Sequence, residues 1–179
     1  ERASQNPVGE RNDYEAERYA EVLKLVKEKS GWGSEQTDNI HRGVSAYFCH
    51  NSYAAQVIDL VMEEGKPVIE RVCCAVDCGI VVNPDAAANL SEGAIVDGIG
   101  NALFGELTFR NGVPAKSNFH QYRMIRMGEA PKKIDVHFVD NGIDPTGLGE
   151  PAFPPVFAAL ANAMYQATGK RYYDQPFLG

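Results

Sequence analysis

The sequence predicts an α+β fold in which a mixed or antiparallel sheet is covered by packed helices. Three stretches place apolar residues at helical spacing and are bounded by capping residues, proline or glycine. Between them lie β-branched and aromatic stretches broken by glycine-containing turns, which is typical of hairpins. Because the strands come in hairpins and do not alternate singly with helices, the order favours α+β over repeated parallel units.

The first predicted helix covers residues 13–29. Asn12 and Glu15 stand three positions apart and resemble a capping box, and Ser30-Gly31 provides a stop. The apolar face of this helix is formed by Tyr19, Val22, Leu23 and Val26.

Length and composition bound the organisation of the chain. With 179 residues, 44% of them hydrophobic, it suits one or two domains. A glycine-containing polar stretch at residues 31–42 predicts a connector. We therefore divide the chain into residues 1–42, a helix and connector, and residues 43–179, an α+β subdomain. A single domain is the alternative.

The β region begins at residue 43. Residues 53–62 and 68–78 predict an antiparallel hairpin around the turn at residues 63–66. Asp77 ends the second strand next to Gly79. We favour a hydrogen bond to the backbone of its own turn, and a buried functional acid is the alternative.

Cysteines and histidines give no metal-binding pattern. Cys73, Cys74 and Cys78 fall within one apolar stretch, where they are expected to act as small buried hydrophobes, and Cys49 stands apart. The four histidines are scattered, without paired spacing. We expect no metal ligated by protein side chains.

The second helix has a clear start at Asn83, an N-cap, followed by Pro84 at the first helical position. It is expected to run to about Phe104. Three glycines lie inside it, each costing about 1 kcal/mol relative to alanine, so something must pack very close there. Another helix and the edge of a cofactor are both open interpretations. The glycines are Gly93, Gly98 and Gly100.

The region after this helix is more irregular. Asn111-Gly112 predicts a two-residue hairpin turn between residues 106–110 and 113–116. Residues 117–124 mix aromatic and basic side chains without a period, which favours a cover over the core and leaves a substrate funnel as the alternative. Alternating apolar residues then predict a strand at residues 134–138.

A stiff loop at residues 147–155 precedes the last helix. Two glycines and three prolines surround Glu150, and Pro155 suits the first position of a helix that ends near Gly169. Spacing alone favours a solvated charge beside a helix N-terminus. A general base is the alternative, and it would require desolvation of the carboxylate.

Charge and hydropathy exclude some partners. The formal net charge of −7 argues against non-specific binding to nucleic acid or to an anionic membrane surface. No apolar run approaches the roughly 18 residues of a transmembrane helix. Residues 1–11 are polar and show no apolar signal region. We expect neither nucleic acid nor membrane as a partner.

Several short motifs are separated from one another along the chain. In chain order they are Tyr53-Ala54-Ala55-Gln56-Val57, Ala75-Val76-Asp77-Cys78-Gly79, Val82-Asn83-Pro84, Glu92-Gly93-Ala94, Ser117-Asn118-Phe119-His120, Arg126-Met127, Gly147-Leu148-Gly149-Glu150-Pro151, Ala161-Asn162-Ala163 and Ala167-Thr168-Gly169-Lys170-Arg171. Together they resemble the xanthine dehydrogenase and aldehyde oxidase family of molybdenum hydroxylases, in particular its isoquinoline 1-oxidoreductase β-subunit branch. The loop with Glu150 and the following helix resemble the C-terminal signature of that family.

The resemblance implies a cofactor and roles for four residues. Molybdenum would be carried by a molybdopterin, expected in a dinucleotide form, and iron–sulfur clusters would lie on a small electron-transfer partner subunit. Glu150 would be the general base in hydroxylation of an aromatic N-heterocycle or an aldehyde. Gly147, Gly149 and Gly93 would contact the cofactor.

The resemblance also implies that this chain corresponds to the C-terminal portion of a longer catalytic subunit, so that by itself it is expected to be inactive. One position departs from the family pattern, because Leu90 stands where the family commonly has Gln, and leucine cannot donate or accept hydrogen bonds. A non-catalytic scaffold or docking domain, or a degenerate homologue, is therefore the alternative. The stiff Gly-Leu-Gly-Glu loop favours an enzymatic origin.

Overall fold

A computed structural model describes residues 14–34 and 39–178. Within these residues, three helices, six strands and one short 3-10 turn follow one another. They are α1 (Ala16–Ser30), β1 (His41–Cys49), β2 (Ser52–Glu63), β3 (Lys66–Asp77), α2 (Pro84–Phe104), β4 (Phe109–Arg110), β5 (Val113–Pro114), the 3-10 turn (Met127–Glu129), β6 (Ile134–Phe138) and α3 (Pro155–Thr168).

The main sheet has four strands in the order β1-β2-β3-β6. The first three are antiparallel neighbours, whereas β6 lies parallel to β3 after the crossover through α2. The sheet is therefore mixed, which confirms the α+β prediction. The β2–β3 hairpin also forms as predicted, with Glu63 opposite Lys66 and a positive φ at both turn residues, Glu64 and Gly65.

Helices cover both faces of this sheet. On one face, α1 packs Val22 and Val26 on a cluster that contains Tyr53, Ala55, Val57, Cys73 and Ala75. On the other face, α2 and α3 pack on the alternate residues of the same strands. This larger core includes Ala54, Ile58, Leu60, Cys74, Val76, Ile95, Ile99, Val156 and Leu160. The two central strands are thus buried on both sides, which explains their nearly continuous apolar sequences.

Helix α1 begins at Ala16, and Glu15 precedes it without a side-chain capping bond. The predicted partner in the capping box, Asn12, lies outside the described residues. The stop is confirmed, because Gly31 adopts a left-handed conformation and its amide donates to the carbonyl of Glu28. The helix packs on β2 and β3, and the division of the chain at residue 42 stays a prediction.

Helix α2 forms with the predicted limits, and the Oδ1 atom of Asn83 accepts a hydrogen bond from the amide of Ala86 at 3.1 Å. Two of its three glycines permit close packing. A Cβ atom at Gly98 would lie 2.9 Å from Cγ2 of Val156 on α3, and one at Gly100 would lie 3.0 Å from Ile125. Another helix therefore explains Gly98, whereas Gly93 faces open space.

The remaining elements are short or irregular. Strands β4 and β5 form the predicted hairpin around Asn111-Gly112, with fewer paired residues than expected. Arg123 lies over the ring of Phe104 with 3.9 Å from its Cζ to the ring centroid, so part of the 117–124 segment covers the end of α2. No helix among the described residues is long and apolar enough to span a bilayer.

Candidate functional site

The loop of residues 147–155, here called the Glu150 loop, leads into α3 and is attached to the turn between β1 and β2. The Gly147 amide donates a hydrogen bond to the His50 carbonyl at 3.1 Å. The Ser52 hydroxyl bonds to the Gly147 carbonyl and also lies 2.6 Å from the Thr146 hydroxyl. The part of the loop before Glu150 is thereby held against the start of β2.

The part of the loop after Glu150 is held by the sheet itself. Gln56 is fully buried on β2, and its Nε2 donates to the Ala152 carbonyl at 2.6 Å. Within the loop, the Phe153 amide donates to the Glu150 carbonyl at 2.9 Å. The backbone of Glu150 is therefore fixed on both sides, as the glycines and prolines of this loop predict.

A cleft of about 720 Å³ separates this loop from α2. Gly93 lies on the α2 side, whereas Gly149 and Glu150 lie on the loop side. A Cβ atom built at Gly93 or Gly149 would meet no heavy atom within 4 Å, so both glycines present bare backbone to open space. The other residues along the cleft are Asn89, Leu90, Ala94, Asp97, Phe153 and Pro154.

The structure thus brings together three of the four residues that the sequence singled out, and Gly147 lies apart from them. A Cβ atom at Gly147 would lie 2.6 Å from Cβ of His50. A side chain at this position would push the loop away from the turn. Gly147 therefore serves close packing of the loop in this chain.

The Glu150 carboxylate is exposed, with 73% of its side chain accessible. Its Oε2 lies 2.7 Å from Nε2 of His50, whose side chain is 59% accessible. Helix α3 begins only at Pro155, so Glu150 lies outside its first turn. Among the described residues the carboxylate is a solvated charge whose side-chain partner is His50, and its role as a base stays a prediction.

Leu90 lies on the α2 side of the same cleft and is 46% exposed. It also borders a second, more apolar groove of about 270 Å³ between α2 and residues 145–148. Its side chain is thus at the surface beside Gly93. Leu90 therefore borders the same cleft as Gly93 and Gly149, which the resemblance implies as cofactor contacts.

Asp77 has a structural role in the described part of the chain. Its side chain is fully buried and accepts two hydrogen bonds from Arg18 on α1, at 2.7 and 3.0 Å. It also accepts bonds from the Gly79 amide and from Asn141. Burial opposes ionisation of Asp77, but these hydrogen bonds outweigh it and hold its pKa below the usual value. The predicted bond to its own turn is confirmed, and Arg18 is an additional partner.

Three of the four cysteines are buried as predicted, and Cys49 is half-buried. Cys73, Cys74 and Cys78 are buried and unbridged. Burial raises the pKa of the Cys74 thiol to about 12, so this group stays protonated. Among residues 14–34 and 39–178, no group of three or more His, Cys, Asp or Glu side chains is arranged to hold a metal ion.

Sequence reasoning missed three residues that hold the Glu150 loop, namely His50, Ser52 and Gln56. Each lies about 100 positions before its contact in the chain. Gln56 lies in the motif Tyr53-Ala54-Ala55-Gln56-Val57. A glutamine within an otherwise apolar strand is a signal for a buried hydrogen bond. The turn residue His50 carries no comparable signal.

The chain is similar to known molybdopterin-binding proteins. The molybdopterin cofactor-binding domain family matches residues 9–131. The isoquinoline 1-oxidoreductase β subunit of Brevundimonas diminuta is 32% identical over 165 residues, which cover 89% of this chain and 21% of that protein. A protein named membrane-bound aldehyde dehydrogenase [pyrroloquinoline-quinone] from Gluconacetobacter polyoxogenes is 30% identical over 170 residues, with 89% and 21% covered.

Solved structures show the same fold. The aldehyde oxidoreductase of Desulfovibrio gigas superposes with a TM-score of 0.59 at 23% identity, covering 70% of this chain and 14% of that one. Quinoline 2-oxidoreductase from Pseudomonas putida 86 gives a TM-score of 0.56 at 19% identity, with 66% and 16% covered. The chain spans about a fifth of the length of the Brevundimonas diminuta and Gluconacetobacter polyoxogenes proteins. It belongs to the molybdopterin cofactor-binding domain family.

Proposed function

We propose that the full-length protein containing this chain is a molybdenum hydroxylase in which Glu150 is the general base. The observation that carries the proposal is the cleft between α2 and the Glu150 loop. It combines bare backbone at Gly93 and Gly149 with a carboxylate whose backbone is fixed on both sides. A fixed acceptor beside a glycine-lined cleft is the arrangement that general-base catalysis on a bound substrate needs.

The cleft fits a molybdopterin. Because no side chain projects from Gly93 and Gly149, a flat ligand can approach the backbone there, and the two glycines lie on opposite sides of the opening. The donor set also fits, since the described residues form no metal-binding cluster and the metal would be brought by the pterin. When bound, this cofactor supplies molybdenum for oxygen transfer and two-electron redox chemistry. We expect the dinucleotide form.

Glu150 would accept a proton at the side of the cleft. Its exposure in this chain leaves room for substrate and for the remainder of the longer protein to cover it. Removal of water from a carboxylate makes it a stronger base, so closure of the pocket would activate the residue. Because half of the pocket would come from outside this chain, we expect the isolated chain to be inactive.

The names of the relatives support a proposal for the substrate class and the partner. Those matched include proteins named for isoquinoline and for aldehydes. We therefore propose an aromatic N-heterocycle or an aldehyde as substrate. We also propose a small iron–sulfur subunit as electron acceptor, since the isoquinoline relative is itself named as one subunit of an enzyme.

A non-catalytic scaffold remains as a second candidate because of Leu90. Its half-exposed side chain borders the cleft and offers no hydrogen bond where the family pattern expects Gln. If this change weakens cofactor binding, the domain would serve assembly only. Molybdenum content of the full-length protein, expressed in a host that makes the cofactor, separates the candidates. The enzyme requires bound molybdenum, and its absence would favour the scaffold.

The role of Glu150 is tested by replacing Glu150 with Gln in the full-length protein. This variant keeps the shape of the side chain and removes the base, so turnover should fall by at least about 100-fold while molybdenum content is unchanged. Glu21→Gln, on the exposed side of α1, is the matched control and should behave as wild type. Near-normal turnover of Glu150→Gln would refute the assignment.

A further inference from the structure

The turn that faces Glu150 has an unusual backbone. Cys49 and Ser52 are paired across β1 and β2, which leaves His50 and Asn51 as a two-residue hairpin turn. Both turn residues have positive φ, 52° and 57°, a conformation that is uncommon for residues with a side chain and that Asn, Asp and His adopt more often than the others.

His50 makes contacts to two positions of the Glu150 loop. Its carbonyl accepts the Gly147 amide at 3.1 Å, and its Nε2 lies 2.7 Å from Oε2 of Glu150. The absence of a side chain at Gly147 allows this approach, because a Cβ atom there would lie 2.6 Å from Cβ of His50. Backbone and side chain of one residue thus hold both the loop and its carboxylate.

From this arrangement we propose that His50 is a positioning residue that fixes the Glu150 carboxylate at the cleft. The inference rests on the proposed function of Glu150. An ionised carboxylate only accepts hydrogen bonds, so Nε2 of His50 carries the hydrogen in this contact. The contact holds Oε2 and leaves Oε1 available for a proton in the cleft.

The side chains of His50 and Glu150 are both exposed, which limits how much their contact can stabilise the fold. A pair between solvated side chains adds little to the stability of a fold, because water and salt screen it. Here the backbone bond between Gly147 and His50 already sets the separation of loop and turn. The side-chain contact therefore selects one orientation of the carboxylate, and its loss should affect catalysis more than stability.

The kinetic test uses the full-length, cofactor-loaded protein with His50→Phe, His50→Gln and Glu150→Gln. We expect His50→Phe to lower kcat by about 10- to 100-fold with KM and molybdenum content unchanged. His50→Gln retains a side-chain donor and should recover most of that loss. His41→Phe, at the opposite end of β1, is the control and should leave kcat unchanged.

A second measurement does not depend on activity. Diethyl pyrocarbonate modifies accessible, uncharged imidazole nitrogens, and peptide mass spectrometry quantifies the modification at each histidine. We expect Glu150→Ala to increase the modification rate at His50, since Nε2 loses its partner, and to leave His41 and His120 unchanged. An unchanged rate at His50 would overturn the proposed contact, and this holds even if His50→Phe fails to fold.

The outcomes separate this inference from the function on which it rests. If Glu150→Gln is inactive and His50→Phe keeps the wild-type kcat, the positioning role of His50 is wrong and Glu150 remains the base. If Glu150→Gln keeps its turnover, the proposed function fails, and the inference about His50 fails with it.

Discussion

Gln56 donates a hydrogen bond from its Nε2 atom to the carbonyl oxygen of Ala152, 2.6 Å away and 96 positions later in the chain. The contact attaches the Glu150 loop to the centre of the sheet. Within the described residues, the Oε1 atom of Gln56 is buried without a hydrogen-bond partner. The amide is therefore held from its donor side, and it attaches to β2 the part of the loop that follows Glu150.

Replacement of Gln56 by Leu should release this part of the loop. The Ala152 carbonyl would lose its donor inside the core, at a cost of about 1–3 kcal/mol. We expect faster hydrogen exchange at the Phe153 amide and a lower Tm of the full-length protein. Gln166→Leu, on the exposed side of α3, is the control. Unchanged exchange at Phe153 in Gln56→Leu would show that the bond does not hold the loop.

Replacement of Gly98 or Gly93 on α2 by alanine should change stability in opposite directions. Gly98→Ala places a Cβ atom 2.9 Å from Val156, and such crowding typically costs about 1–3 kcal/mol. Gly93→Ala meets open space and should gain up to about 1 kcal/mol of helix stability. Its methyl group nevertheless enters the proposed cofactor cleft.

The two alanine variants are compared by thermal unfolding and by elemental analysis. We expect Gly93→Ala to keep or raise its Tm and to lose molybdenum, whereas Gly98→Ala lowers Tm. Full molybdenum content in Gly93→Ala would argue that the cofactor does not approach this glycine.

Replacement of Arg18 should make the folded state less stable at low pH. Asp77 has a lowered pKa, so its ionised form stabilises the folded state above its unfolded pKa, and this stabilisation is lost as pH falls through the folded value. Arg18→Met leaves the buried carboxylate without its cation, at a cost of about 3–5 kcal/mol.

Acid unfolding followed by circular dichroism measures this effect. We expect the midpoint of acid unfolding to move to higher pH in Arg18→Met. In Lys24→Met, which breaks the exposed pair with Glu21, the midpoint should stay in place. Equal midpoints in the two variants would contradict the stabilising role of the Arg18–Asp77 pair.

Leu90→Gln tests the departure from the family pattern. Because Leu90 is half-exposed at the cleft, a glutamine should fit without misfolding and without a large change in Tm. If the side chain faces the cofactor, molybdenum retention during dialysis should increase. Severe misfolding would instead place Leu90 in packed surroundings in the full-length protein.

The sequence predicted those parts of the fold that depend on local signals. Asn83-Pro84, Gly31 and Asn111-Gly112 each determine the backbone within a few residues, so the helix limits and hairpins follow from them. The parallel register of β6 beside β3 depends on a crossover through α2 and has no local signal.

The candidate site was predictable in part for the same reason. Glu150, Gly149 and Gly93 lie in glycine-containing motifs, and the fold brings them to one cleft. His50 and Gln56, which hold the Glu150 loop, lie about 100 positions earlier in the chain. They reach the loop only when the sheet and α3 pack together. Arg18 likewise meets Asp77 across 59 positions. Spacing within one segment cannot indicate such contacts.

In the proposed function, Glu150 removes a proton in the chemical step. The most direct test of this role is the anaerobic rate at which substrate reduces the full-length enzyme in a single turnover, for wild type and Glu150→Gln at equal molybdenum content. We predict that the rate falls by at least about 100-fold while substrate binding is retained. An equal reduction rate in the two proteins would contradict the account.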